Sequence, residues 1–145
     1  MFKRILVPVD GSETSNKALV AALQLARERD ASVRVIHVLD ELAYVTGYEY
    51  TVTVLDEARK AARKTVDDAL AIAQSSGVPA DGKLVEAPGR RLGDVVADEA
   101  RALDADLVVV GTHGRRGMSR VLLGSGAEQV IRSCPAPVLV FRAPA

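Results

Sequence analysis

Short β-branched runs alternate with segments of helical period along this chain, and that alternation leaves few folds open. Lys3–Asp10 (KRILVPVD) reads as a buried strand that ends at Gly11. Ser12–Arg29 follows with apolar residues at Ala18, Leu19, Ala22, Leu23, Leu25 and Ala26, which is helical spacing; Ser12, Thr14 and Ser15 are candidate N-caps. Ser32–Asp40 is a second strand, and Glu41–Tyr50 is irregular and holds all three tyrosines, as a lid or as simple cover. The spacing predicts a long helix over about Val52–Gln74, stopped by Gly77 and Pro79. Gly82–Ala87 is a third, weaker strand, and Arg91–Asp104 puts Leu92, Val96, Ala100 and Leu103 on one helical face. Ala105–Gly111 is the clearest strand; a helix over about Ser125–Arg132 and a strand over Ala136–Arg142 close the chain.

Strands separated by helices pair in parallel through right-handed crossovers, and the helices cover both faces of the sheet. The expected fold is therefore α/β: one doubly wound open sheet of five parallel strands, order 3-2-1-4-5, Rossmann-like. A length of 145 residues suits one domain with a real core, so residues 1–145 read as one unit. Pro135 and Pro137 flank the last strand, which points to a sheet edge. An apolar edge needs cover, and pairing with a second subunit through Ala136–Arg142 would provide it.

Nineteen basic and nineteen acidic residues balance, which argues against a general nucleic-acid binder. No apolar stretch approaches a membrane span. The basic start and short apolar run at the N-terminus stop at Asp10, so they read as a strand rather than a signal peptide. Cys134 is the sole cysteine and cannot form an intramolecular disulfide; it reads as a small buried filler, and cytoplasm is the default location.

The connection after the fourth strand needs an explanation. Gly111–Gly126 (GTHGRRGMSRVLLGSG) carries five glycines and three arginines. In a sheet of this order the first and fourth strands flank the switch point, where ligands bind beyond the carboxyl ends. Asp10-Gly11-Ser12 and the glycine loop then border one crevice. Gly111 and Gly114 let backbone N–H groups approach an anion and allow positive φ. Gly124-Ser125 precedes a helix whose first amides favour phosphate, and Arg115 and Arg116 add charge. Asp10 would repel phosphate, so its expected partner is a ribose hydroxyl. Sugar on one side and phosphates on the other describe a nucleotide.

With these residues in place the sequence resembles the universal stress protein family, in its ATP-binding branch. The pattern is Gly111-Thr112-His113-Gly114, nine residues from Arg115 to Leu123, then Gly124-Ser125. ILVPVDGS, DLVVVGTHG, VLLGS and CPAPVLVFR extend the likeness along the whole chain. The resemblance implies a fold like the adenine nucleotide alpha hydrolases, a dimer through the last strand, and ATP held in two parts. Pro8, Val9, Asp10 and Val38 would line the adenosine end. Val110, Gly111, Gly114, Arg115, Gly124, Ser125, Gly126 and Ala127 would cradle the phosphates. Gly126 stands where many members carry a branched residue, which predicts a looser helix start. The sequence leaves open whether Mg²⁺ accompanies the phosphates.

Simpler readings compete. Ser125-Gly126-Ala127-Glu128 fits a capping box, so the Ser125 hydroxyl has either a cap or a phosphate to serve. Asp10 has an alternative as N-cap of the first helix. His113 reads as a solvated loop residue. His37 reads as packed beside the sheet or bonded to backbone. Arg115, Arg116 and Arg120 have the alternative of a solvated basic face. Three function classes follow: a nucleotide-binding stress or signalling dimer with slow turnover at most, an ATP-hydrolysing enzyme, and a phosphoacceptor receiver domain. The glycine loop holds no carboxylate and no Gly-Lys-Ser/Thr, which disfavours the enzyme. A lone Asp10 and a third strand ending in Glu86-Ala87-Pro88 disfavour the receiver.

Overall fold

The computed structural model describes residues 1–40, 52–112 and 125–142. The elements run β1 (Arg4–Pro8), α1 (Glu13–Arg29), β2 (Ser32–Leu39), α2 (Val52–Ser75), β3 (Ala80–Glu86), α3 (Leu92–Leu103), β4 (Leu107–Gly111), α4 (Ser125–Ser133) and β5 (Val138–Phe141). Every pairing is parallel and the order is β3-β2-β1-β4-β5, as the alternation predicts. β5 is an edge strand, consistent with the prolines before it.

Side chains alternate across the sheet and sort into two layers. Ile5, Val7, Val33, Val35, Leu107 and Val109 pack with Ala18, Leu19, Ala22 and Leu23 of α1 and Ala69 and Ala73 of α2. Leu6, Ile36, Val108 and Val110 point the other way, onto Val96 and Ala100 of α3 and Ala127 and Val130 of α4. Both faces of the central strands are thus covered, which explains the unbroken apolar runs in β1 and β4. Most of the helical stripes read from spacing are buried, notably Ala58, Ala62, Val66, Ala69 and Ala73 in α2, while Leu25, Leu92 and Leu103 are partly buried. Asp30 and Asp104 end α1 and α3 in the left-handed conformation that glycine more often supplies. No helix among the described residues is long and apolar enough to cross a membrane.

Carboxylates secure the amino end of the sheet. Asp106 accepts the amides of Lys3 at 2.8 Å and Arg4 at 2.9 Å. Burial pushes its carboxyl up, but these amides, together with its own amide and the Arg4 charge, outweigh that and hold it below the ordinary range. Arg34 grips Asp81 with two bonds of 2.9 Å, and these hydrogen bonds hold the Asp81 carboxyl low.

Candidate functional site

The site opens where two neighbouring strands part. β1 runs to Pro8 and β4 to Gly111, yet their pairing stops at Leu6↔Val108. Pro8 supplies a reason. The Val9 amide donates to Ile36 O at 2.8 Å, so Val9 turns its polar groups to β2. Alternation turns those of Pro8 towards β4, and proline has no N–H to offer there. The two helices that follow these strands, α1 and α4, pack on opposite faces of the sheet. A cavity of about 340 Å³ lies between the carboxyl ends. That volume is in the range of small-molecule sites.

Nine of the residues singled out from sequence line it: Pro8, Val9, Asp10, Val38, Val110, Gly111, Ser125, Gly126 and Ala127. Gly114, Arg115 and Gly124 lie outside the described residues, as do His113, Arg116, Arg120 and the tyrosines. Ser12, Ser15, His37, Leu92, Thr112 and Val130 complete the lining; the sequence reading had put Ser12 and Thr112 on the segments that border the crevice and gave the other four no site role. Ser12, Ser15 and Leu92 carried a signal all the same. Each opens a helix that follows a strand, and such positions sit over the carboxyl ends of a parallel sheet.

The first lip is a closed set of short bonds. Gly11 has φ +82°, a turn conformation that glycine adopts without strain. Asp10 Oδ1 accepts the Ser12 amide at 2.9 Å, Ser12 Oγ accepts the Ser15 amide at 3.1 Å, and Ser15 Oγ accepts the Asp10 amide at 3.0 Å. The N-cap of α1 is therefore Ser12 and not Asp10. Asp10 makes an Asx turn that orients its carboxylate at the cavity edge. His37 bonds to backbone, one of its two expected arrangements: Nδ1 lies 2.7 Å from Val9 O. A carbonyl only accepts, so Nδ1 carries the proton.

The second lip differs from expectation in three respects. Gly111 is not among the glycines with positive φ. Its bareness serves packing instead, since a Cβ there would lie 3.0 Å from Thr14 Cγ2 and from Thr14 O. Ser125 already lies inside α4, and among the described residues no hydrogen bond joins its hydroxyl to the Glu128 amide. The capping-box alternative therefore fails, and Ser125, Gly126 and Ala127 of α4 stand at the cavity edge. Gly126 is closely packed as well. A Cβ on Gly126 would meet Leu92 Cδ2 at 2.8 Å, so Leu92 occupies the space that a branched residue would take.

The result is an apolar slot with a polar rim. Val38, Leu92, Val110 and Val130 form walls; Asp10, Ser12, Thr112 and Ser125 form the edge. Among the described lining residues Asp10 is the one carboxylate, and none is lysine or arginine. Positive potential there comes from the N-terminal part of α4. Among the described residues no group of three or more His, Cys, Asp or Glu is placed to hold a metal.

Comparison with known proteins agrees with this architecture. The sequence model of the universal stress protein family matches residues 1–142. A universal stress protein of Methanocaldococcus jannaschii is 36% identical over 149 residues, covering 99% of this chain and 84% of that protein. The crystal structure of a universal stress protein family member from Burkholderia pseudomallei superposes with a TM-score of 0.80 at 33% identity, covering 98% of this chain and 97% of the other. The universal stress protein from Archaeoglobus fulgidus in complex with dAMP superposes with a TM-score of 0.70 at 27% identity, covering 97% and 98%. The chain belongs to the universal stress protein family.

Proposed function

We propose that this protein binds an adenine nucleotide, ATP foremost, in the cleft between β1 and β4, and that the bound state sets its conformation or partner choice. The observation that carries the reading is the convergence of the nine residues, from five separate elements or loops, on one cavity. The base lies in the apolar slot beside Val38, and Asp10 accepts from the ribose. The phosphates meet the first turn of α4 and the glycine loop with Gly114, Arg115 and Gly124. The dAMP complex of the Archaeoglobus fulgidus relative supports an adenine nucleotide as the ligand class. Hydrolysis is slow at most, because Asp10 is the sole carboxylate of the described lining and already orients a turn.

The protein works as a homodimer through β5. Leu139 is 43% exposed on this edge strand, and Val20 of the neighbouring α1 is 52% exposed. Isologous pairing of two edges would cover both and remove the open ladder.

Calorimetric titration of nucleotide-stripped protein with ATP, with and without Mg²⁺, tests the reading. One site per chain is expected, and Gly114→Val should abolish it by filling the space for the phosphates. Absence of ATP binding to the wild type would reject the proposal; equal affinity in the variant would move the phosphate site elsewhere.

A further inference from the structure

We propose that Leu92 is a specificity-determining residue of this cavity: held over Gly126, its side chain closes the α3 side and matches the slot to an unsubstituted adenine ring. The inference rests on the nucleotide-binding reading above. It starts from a shared space. Leu92 Cδ2 lies 2.8 Å from where a Cβ on Gly126 would sit, so the two positions cannot both carry bulk as they stand. Leu92 also packs in the same apolar layer as Val38, the residue placed beside the base.

The backbone beneath Leu92 cannot withdraw. The next residue, Gly93, approaches α4 so closely that a Cβ there would lie 2.6 Å from the Gln129 carbonyl oxygen. The Gly93 amide donates to Gln129 Oε1 at 3.0 Å and fixes the approach. The first turns of α3 and α4 are thus held together, and the Leu92 side chain lies against Gly126 at the cavity it lines. Glycine at 126 keeps the first direction open. The width of the slot on this side is then set by the residue at 92.

The test compares ATP with three ring-substituted analogues, N6-benzyl-ATP, 2-chloro-ATP and 8-bromo-ATP, by calorimetry. The proteins are wild type, Leu92→Ala, Leu92→Val and the double variant Leu92→Ala/Gly126→Val, each checked for an unchanged unfolding transition. Wild type should prefer ATP. Leu92→Ala should shift the ratio towards at least one analogue by about tenfold, the discrimination a few methylenes support in an apolar pocket. Leu92→Val should shift it less, and it keeps the test alive if the alanine variant folds poorly. Valine at 126 should refill the hole and cancel the gain. No gain for any of the three analogues, or a gain that persists with valine at 126, overturns the proposal. Failure of wild type to bind ATP instead rejects the nucleotide reading, so the two outcomes are distinct.

Discussion

Gly93→Ala tests the contact that locks the site together. A methyl at this buried position would lie 2.6 Å from Gln129 Cβ, 2.6 Å from its carbonyl oxygen and 2.7 Å from its carbonyl carbon. Two of those atoms belong to the backbone of α4, so no rotamer change relieves them. Ordinary contact begins near 3.4 Å, and the helices must part by about 0.8 Å. Overpacking of this kind costs about 1–3 kcal/mol. For a domain of this size that corresponds to a fall of roughly 3–10 °C in Tm. Gly82→Ala serves as the comparison. Its Cβ would meet Leu70 Cδ1 and Val66 Cγ1 at 2.9 Å and Leu70 Cγ at 3.0 Å, side-chain atoms only and no backbone, so its cost should be smaller than that of Gly93→Ala. Urea and thermal unfolding of both variants measure the difference. Gly93→Ala should also weaken ATP binding, because Leu92 and the first amides of α4 move with the separating turns. An unfolding midpoint equal to wild type, or a larger loss in Gly82→Ala, would refute the claim that α3 and α4 are in backbone contact.

Three further outcomes follow from named contacts. Ser12→Ala removes the N-cap of α1 and should cost about 1 kcal/mol in urea unfolding, whereas Asp10→Asn keeps an acceptor for the Ser12 amide and should lose nucleotide affinity with little loss of stability. The lowered carboxyls of Asp106 and Asp81 contribute stability that is fully present above their unfolded pKa and lost as pH falls through the folded value. Unfolding monitored downward from about pH 4 should therefore show a steep decline that is shallower in Asp106→Ala. Leu139→Glu places a charge on the proposed dimer edge and should give monomers by light scattering; an intact dimer would place the interface elsewhere.

The alternation of period carried most of the fold, because in a two-sided sheet the hydrophobic pattern and the topology are nearly one statement. Strand ends were harder. Lys3–Asp10 contracts to Arg4–Pro8, where the Lys3 amide turns to the Asp106 carboxylate and the Asp10 amide to Ser15 Oγ instead of to a neighbouring strand. The site was readable where chemistry is local, as in Asp10-Gly11-Ser12. It was misread where a residue answers to a distant neighbour. Gly111 looked like room for an anion, yet its tightest neighbour is Thr14 on another element. Ser125 had either a cap or a phosphate to serve, and its place inside α4 removes the cap. Leu92 looked like one more residue of a buried stripe. No local pattern could reveal that it shares space with Gly126, because the contact depends on how closely two helices cross.

That crossing explains why this cleft has a shape of its own. The opening between β1 and β4 is a consequence of topology: α1 and α4 depart to opposite faces, so neither covers the gap. Topology alone leaves the gap's width undefined. Here the width comes from three glycines with different tasks. Gly111 admits α1 on one side, Gly93 admits α4 against α3, and Gly126 gives Leu92 somewhere to lie. Filling any of the three changes the cavity through helix packing, and Gly93 does so without itself lining it. Affinity in this protein should therefore depend on helix packing as strongly as on the polar groups at the rim.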